Sequence, residues 1–159
     1  MALREGTRIA RALALTAPAL LLAGAYVSQY VFGLYPCEMC WWQRWPHFAA
    51  IGLAALAYLR PPGRTFVWLA AAAIAVSGLI GGFHAGVEYG WWEGLTACAT
   101  TASAGGDPLE AILNAPITRC DVAPWTLMGI SLAGWNFLFS CASALAIAIL
   151  LAGSRRSPE

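Results

Sequence analysis

Four of the five cysteines in this chain fall into two groups that sulfur chemistry could join. Cys37 and Cys40 stand three apart in the run Pro36-Cys37-Glu38-Met39-Cys40-Trp41-Trp42-Gln43-Arg44, and Cys98 and Cys120 lie farther along. A thiolate is the nucleophile of disulfide exchange, and a helix N-terminus or a nearby cation favours it. Cys40 meets both conditions if a helix begins beside it, because Arg44 then follows one turn later on the same face. That guanidinium could hold a thiolate or the carbonyl oxygen of a lipid-soluble carrier. The plainer reading is an arginine that anchors at a membrane interface.

A Cys-x-x-Cys pair is also half of many zinc sites, and Cys98 with Cys120 could complete four ligands. Outward-facing cysteines in an oxidising compartment form disulfides instead, which favours no metal here. Cys98 and Cys120 could equally be a static staple across a loop. Cys141, set among Ser140, Ala142 and Ser143, reads as a small buried hydrophobe.

The elements that must position these groups are membrane helices. Hydrophobic residues make up 60% of the 159 and charged ones only 11%, outside the soluble range. Apolar stretches long enough to span a bilayer occupy approximately 12–33, 41–59, 65–87 and 125–152. The expectation is an all-α membrane protein, a single four-helix transmembrane domain over 1–159 with a long outer loop at 88–124. Arg4, Arg8, Arg11, Arg60, Arg64, Arg155 and Arg156 all fall on one side of such a topology. Arginine excess marks the cytoplasmic face, so both termini belong inside and the four cysteines outside. No basic cluster suggests nucleic acid; the surrounding partner is membrane lipid. A cleaved signal peptide ending near Ala23-Gly24-Ala25 is the competing reading of the first segment, but the apolar run continues to Phe32.

The second span is the informative one. Residues 48–59 alone cannot cross about 30 Å of hydrocarbon, so the span must reach back to Cys40 and Trp41. That places the cysteine pair at the helix mouth, with Trp41, Trp42 and Trp45 as an interfacial belt. Pro46 suits a first turn and would kink a helix that starts earlier. His84, near the outer end of the third span, is either functional or a packed histidine, and His47, one turn from Arg44, could line a cavity. In the loop, residues 108–115 read equally well as a surface amphipathic helix or as irregular chain, and Glu88, Glu93 and Asp121 as solvated carboxylates, with Asp121 close enough to Cys120 to tune its thiolate.

Together these features resemble the disulfide bond formation protein B (DsbB) family. The resemblance rests on Cys37-Glu38-Met39-Cys40 with Gln43-Arg44, on the run from His84-Ala85-Gly86 through Glu88-Tyr89-Gly90-Trp91-Trp92 toward Cys98, on Cys120-Asp121 with Pro124-Trp125, and on Leu132-Ala133-Gly134-Trp135-Asn136. It implies a multi-pass protein of the bacterial inner membrane with periplasmic redox cysteines. It implies that a reduced DsbA-like thiol oxidase attacks Cys98 of a Cys98-Cys120 disulfide, that Cys120 then attacks Cys37, and that Cys40 passes electrons to ubiquinone or menaquinone beside Arg44, with His84 and His47 as further quinone-site candidates. DsbA is itself known to be a strong oxidant at about −120 mV, beyond the reach of structural disulfides below about −300 mV, so a quinone supplies the drive. Two rivals remain: a tetraspan scaffold with static disulfides, which has no use for Cys-x-x-Cys at a helix mouth, and the vitamin K epoxide reductase-like proteins, in which that pair belongs to a late helix.

Overall fold

The computed structural model describes residues 2–60, 63–95, 99–100 and 117–154; Cys98, the 108–115 stretch, Pro61, Pro62, Arg155 and Arg156 lie outside the described residues. Four helices run up and down: α1 (Ala2–Tyr30), α2 (Glu38–Leu59), α3 (Arg64–Glu88) and α4 (Leu132–Gly153). α3 packs against α2 and α4, and α1 closes the arrangement against α4 and α2.

Small residues let these helices approach. Half of the bundle is cored by Ala10, Ala14, Ala50, Ala54, Ala57, Ala70 and Ala71 around Val67, Ile74, Ile147 and Leu151. In lipid no hydrophobic drive pulls helices together, so close van der Waals contact between small side chains does that work. Leu20, Leu69, Val76, Leu79, Leu145 and Ile149 point outward instead, which suits a hydrocarbon solvent. The arginine-rich chain segments meet at this alanine end: Thr7 bonds Ser154, Arg64 donates to the Leu151 carbonyl, and Arg11 lies over the Tyr58 ring.

Three of these helices, over Glu5–Tyr30, Arg64–Glu88 and Leu132–Gly153, are long and apolar enough to cross a membrane. α2 has the length, since 22 residues span about 33 Å. Its first half is polar: Gln43, Arg44 and His47 are all buried there. It also starts at Glu38, earlier than the expected 41, so Pro46 sits inside the helix and leaves the Trp42 carbonyl without its usual donor.

The fourth helix starts later than expected, at Leu132 and not 125. Residues 126–131 form a hairpin, β3 (Thr126–Leu127) with β4 (Ile130–Ser131), while β1 (Ala99–Thr100) pairs with β2 (Ile117–Thr118). Met128 and Gly129 both take positive φ, 54° and 77°, the conformation a two-residue hairpin turn needs. Tyr89 fixes the hairpin to the end of α3, donating to the Gly129 carbonyl and accepting from the Ser131 N–H. Ser131 then caps α4 by accepting from the Gly134 N–H at 3.1 Å.

Candidate redox site

At the end of the bundle opposite the alanines, the chain before α2 brings Cys37 to the N-cap position. Its sulfur accepts the Cys40 N–H at 3.2 Å, a role usually taken by serine or aspartate. The three-residue spacing therefore has a geometric reason: it sets both sulfurs at the positive end of one helix, with Sγ atoms 2.7 Å apart. Cys37 is buried, and its hydrogen bond to Cys40, then its burial, push its thiol above the ordinary range. In the reduced protein Cys37 should therefore remain the protonated partner. Alkylation by iodoacetamide at pH 7 to 9, read by peptide mass spectrometry, is expected to modify Cys40 well before Cys37, with Cys37 gaining reactivity only in stronger alkali; equal rates at pH 8 would overturn this.

Cys120 returns from the loop to the same point. The sulfurs of Cys37 and Cys120 and a ring nitrogen of His84 lie within 4.8 Å of one another, all on buried residues. The adjoining Asp121 is exposed and pairs with Arg119 at 2.8 Å, and that guanidinium holds its carboxyl below the usual range. Among the described residues this sulfur and imidazole set has the composition of a soft-metal site. Its hydrogen bonds point elsewhere. Gln43 Nε2 donates to the Met39 carbonyl at 3.2 Å and to His84 Nδ1 at 2.8 Å. Nδ1 is thus an acceptor, and Nε2 presents an N–H, not a lone pair, toward the Cys37 sulfur 3.6 Å away and Glu88 Oε1 3.8 Å away. His84 is placed to stabilise negative charge on sulfur.

Cys40 faces a different environment. With Gln43, Arg44 and His47 it borders a cavity of about 270 Å³, otherwise walled largely by apolar side chains such as Leu21, Leu34, Leu132 and Phe139. Arg44 is only 6% exposed and has no carboxylate partner among the described residues. It donates to Gln29 Oε1 at 2.7 Å and the Ala25 carbonyl at 3.3 Å, between the Tyr26 and Trp41 rings at 4.9 and 4.8 Å. A buried cation held by neutral groups and ring faces is suited to a partly negative oxygen in the cavity.

The structure thus gathers Cys37, Cys40, Cys120 and His84 at one junction and sets Arg44 and His47 beside Cys40 on the cavity. Cys141 packs elsewhere, against Gly78, where an added Cβ would lie 2.8 Å from its sulfur. Reading the sequence alone passed over the polar network between these places. Asn136 Nδ2 donates to Gln43 Oε1 at 2.9 Å and to the Ser77 carbonyl at 3.2 Å, and Ser140 donates to Asn136 Oδ1 at 3.0 Å. Gly81 makes room for it, since a Cβ there would fall 2.9 Å from Asn136 Nδ2 and from the Ala133 carbonyl. Polar residues inside apolar spans were the available signal.

The family model described as disulfide bond formation protein DsbB matches residues 7–150. The chain belongs to that family. A protein named disulfide bond formation protein B from Verminephrobacter eiseniae is 34% identical, the match covering 96% of this chain and 90% of the relative. Proteins of the same name from an Acidovorax species and an Azoarcus species are 30% and 33% identical, covering 89% and 86% of this chain and 85% and 87% of theirs. No solved structure matches. Family membership makes this a membrane protein of disulfide bond formation, which fits its long apolar helices.

Proposed function

We propose that this protein is a thiol:quinone oxidoreductase that re-oxidises a DsbA-like periplasmic dithiol oxidase. The observation that carries this reading is the placement of Cys37 and Cys40 at a junction of two environments: Cys120 from the loop lies beside Cys37, and Cys40 borders an apolar cavity with a buried arginine.

In this scheme residues 1–159 form one unit, with α2 as a fourth span, both termini cytoplasmic and the cysteines periplasmic in the inner membrane. The gathering of arginine-bearing segments at the alanine end supports that orientation. Reduced partner attacks Cys98 of the Cys98-Cys120 disulfide, and the freed Cys120 thiolate attacks Cys37. That breaks the Cys37-Cys40 bond and leaves Cys40 as a thiolate at the cavity. Once the partner's second thiol has resolved the mixed disulfide, the freed Cys98 attacks Cys120, re-forming the Cys98-Cys120 bond and releasing Cys37 as a thiolate, for which the His84 N–H is in place, so His84 serves the sulfurs in this reading. A ubiquinone or menaquinone bound in the cavity would accept the electron pair and two protons. Cys40, Arg44 and His47 would border it, with Arg44 holding an oxygen, and the apolar walls, the buried Arg44 cation and a polar edge at Gln43 and Asn136 fit such a group.

The test mixes purified protein at catalytic levels with a reduced DsbA-like partner and a soluble quinone and follows quinone absorbance. Multiple turnovers dependent on all three components are expected. Static disulfides that resist the partner and give no turnover would favour the scaffold reading.

A further inference from the structure

We infer that His47 is the proton-exchanging residue of the cavity, an inference that rests on the quinone reading of that cavity. Two backbone carbonyls, which can only accept, fix the orientation of the amides around it. The Ser77 carbonyl identifies Asn136 Nδ2 as the nitrogen facing it, and the Met39 carbonyl does the same for Gln43 Nε2. Both assignments agree with the bond between them, Asn136 Nδ2 to Gln43 Oε1. Asn136 Oδ1 is therefore an acceptor, and it lies 2.9 Å from His47 Nε2. Ser77 Oγ, whose own proton goes to the Gln43 carbonyl at 2.7 Å, lies 2.9 Å from the same nitrogen. Nε2 must carry the hydrogen. Neutral His47 then has a lone pair at Nδ1, and this atom is buried with no hydrogen-bond partner among the described residues, on a side chain only 3% exposed.

A buried acceptor left without a donor is unfavourable unless something supplies one. His47 is among the residues that border the cavity, and an occupant packed against its ring is the source in this reading. An oxidised quinone offers only acceptor oxygens, and a quinol offers O–H donors. Nδ1 can therefore bond a quinol as neutral imidazole, or a quinone after gaining a proton. Among the described residues no other cavity side chain can both accept from a quinol and, once protonated, donate to a quinone. The titratable or charged groups lining the cavity, among the described residues, are Tyr35, Cys40, Arg44 and His47. Arg44 stays protonated, Cys40 is the electron-carrying sulfur, and Tyr35 is half exposed at the rim. Ser77 of α3 and Asn136 and Ser140 of α4 face His47, and none of them titrates in this range.

The balance closes over oxidation of the Cys37/Cys40 dithiol. One thiol, one thiolate, a His47 imidazolium and a quinone become a disulfide, neutral His47 and a quinol. The sulfur to sulfur bond forms, its two electrons reduce the quinone, and the protons of the thiol and of His47 Nδ1 end on the two ring oxygens. His47 regains its proton from solvent before the next cycle.

The test combines nitrogen NMR of ¹⁵N-histidine-labelled protein in detergent with kinetics. At pH 8 without quinone, His47 is expected as the Nε2–H tautomer, and decylubiquinol is expected to shift its Nδ1 resonance where decylubiquinone does not. In His47→Gln the amide can still donate to Asn136 Oδ1, but nothing titrates. Turnover is expected to fall about tenfold with the quinone KM changed less than twofold, and the alkaline limb of the parent's kcat profile is expected to disappear. Retained quinone binding, read as quenching of tryptophan fluorescence, shows that the variant is folded; if it is not, the NMR arm on the parent protein decides. A proton on Nδ1 in the neutral form, or a raised KM with unchanged kcat, overturns the inference. Absence of quinone reduction by the parent protein would instead overturn the function proposed above, and the tautomer measurement would still stand by itself.

Discussion

Cys37→Ser, Cys40→Ser, Cys98→Ser and Cys120→Ser should each abolish partner-driven quinone reduction, a loss of at least about a thousandfold, because removing one member of a nucleophilic relay stops the whole. Cys141→Ser should stay within twofold of the parent. The contrast follows from position: Cys120 and Cys37 lie at one buried junction with His84, and Cys141 packs against Gly78. Exchange also predicts which species each block accumulates. In Cys40→Ser the free Cys37 can exchange with the Cys98-Cys120 disulfide, bonding Cys120 and releasing Cys98, and no Cys40 is left to resolve the product, so the variant should hold a Cys37-Cys120 disulfide, visible as a linked peptide pair on non-reducing mass spectrometry. Cys37→Ser should show none. Activity surviving in Cys120→Ser, or a linked pair between other cysteines, would break the assigned order.

Much of this arrangement was legible because its causes are local or compositional. Cysteine spacing follows from the N-cap geometry of α2, and the gathering of arginine-bearing segments at one end follows from helices of roughly bilayer length joined up and down. What escaped had non-local causes. Leu127, Met128 and Ile130 read as the opening of a span because they are apolar, but the Tyr89 hydroxyl, 40 residues away, holds them in a hairpin. Asn136, Ser77 and Gln43 come from three different helices, so no sequence window contains their network. The different surroundings of the two histidines were hidden for the same reason. Both were candidates for one quinone site, and only the orientation of Gln43 sets the His84 N–H toward sulfur.

Arg44→Ala separates the two readings of the arginine that composition left open. An interfacial anchor would leave its head in water, yet Arg44 is 6% exposed, enclosed by Gln29, the Ala25 carbonyl and the rings of Tyr26 and Trp41. A hydrogen bond from a charged donor is worth about 1.5–3 kcal/mol. At about 1.4 kcal/mol per decade, its loss corresponds to roughly a 10- to 100-fold rise in quinone KM. Disulfide exchange between the partner and Cys98 should be unchanged, since it precedes the cavity step, and stopped-flow measurement without quinone would read it separately. Arg44→Lys should recover only part of the affinity, because a compact ammonium cannot keep the planar contacts with Gln29 and Ala25 while reaching a carrier oxygen. An unaltered KM in Arg44→Ala would return the residue to an anchoring role and leave Gln43, His47 and Asn136 as the polar groups that orient the carrier.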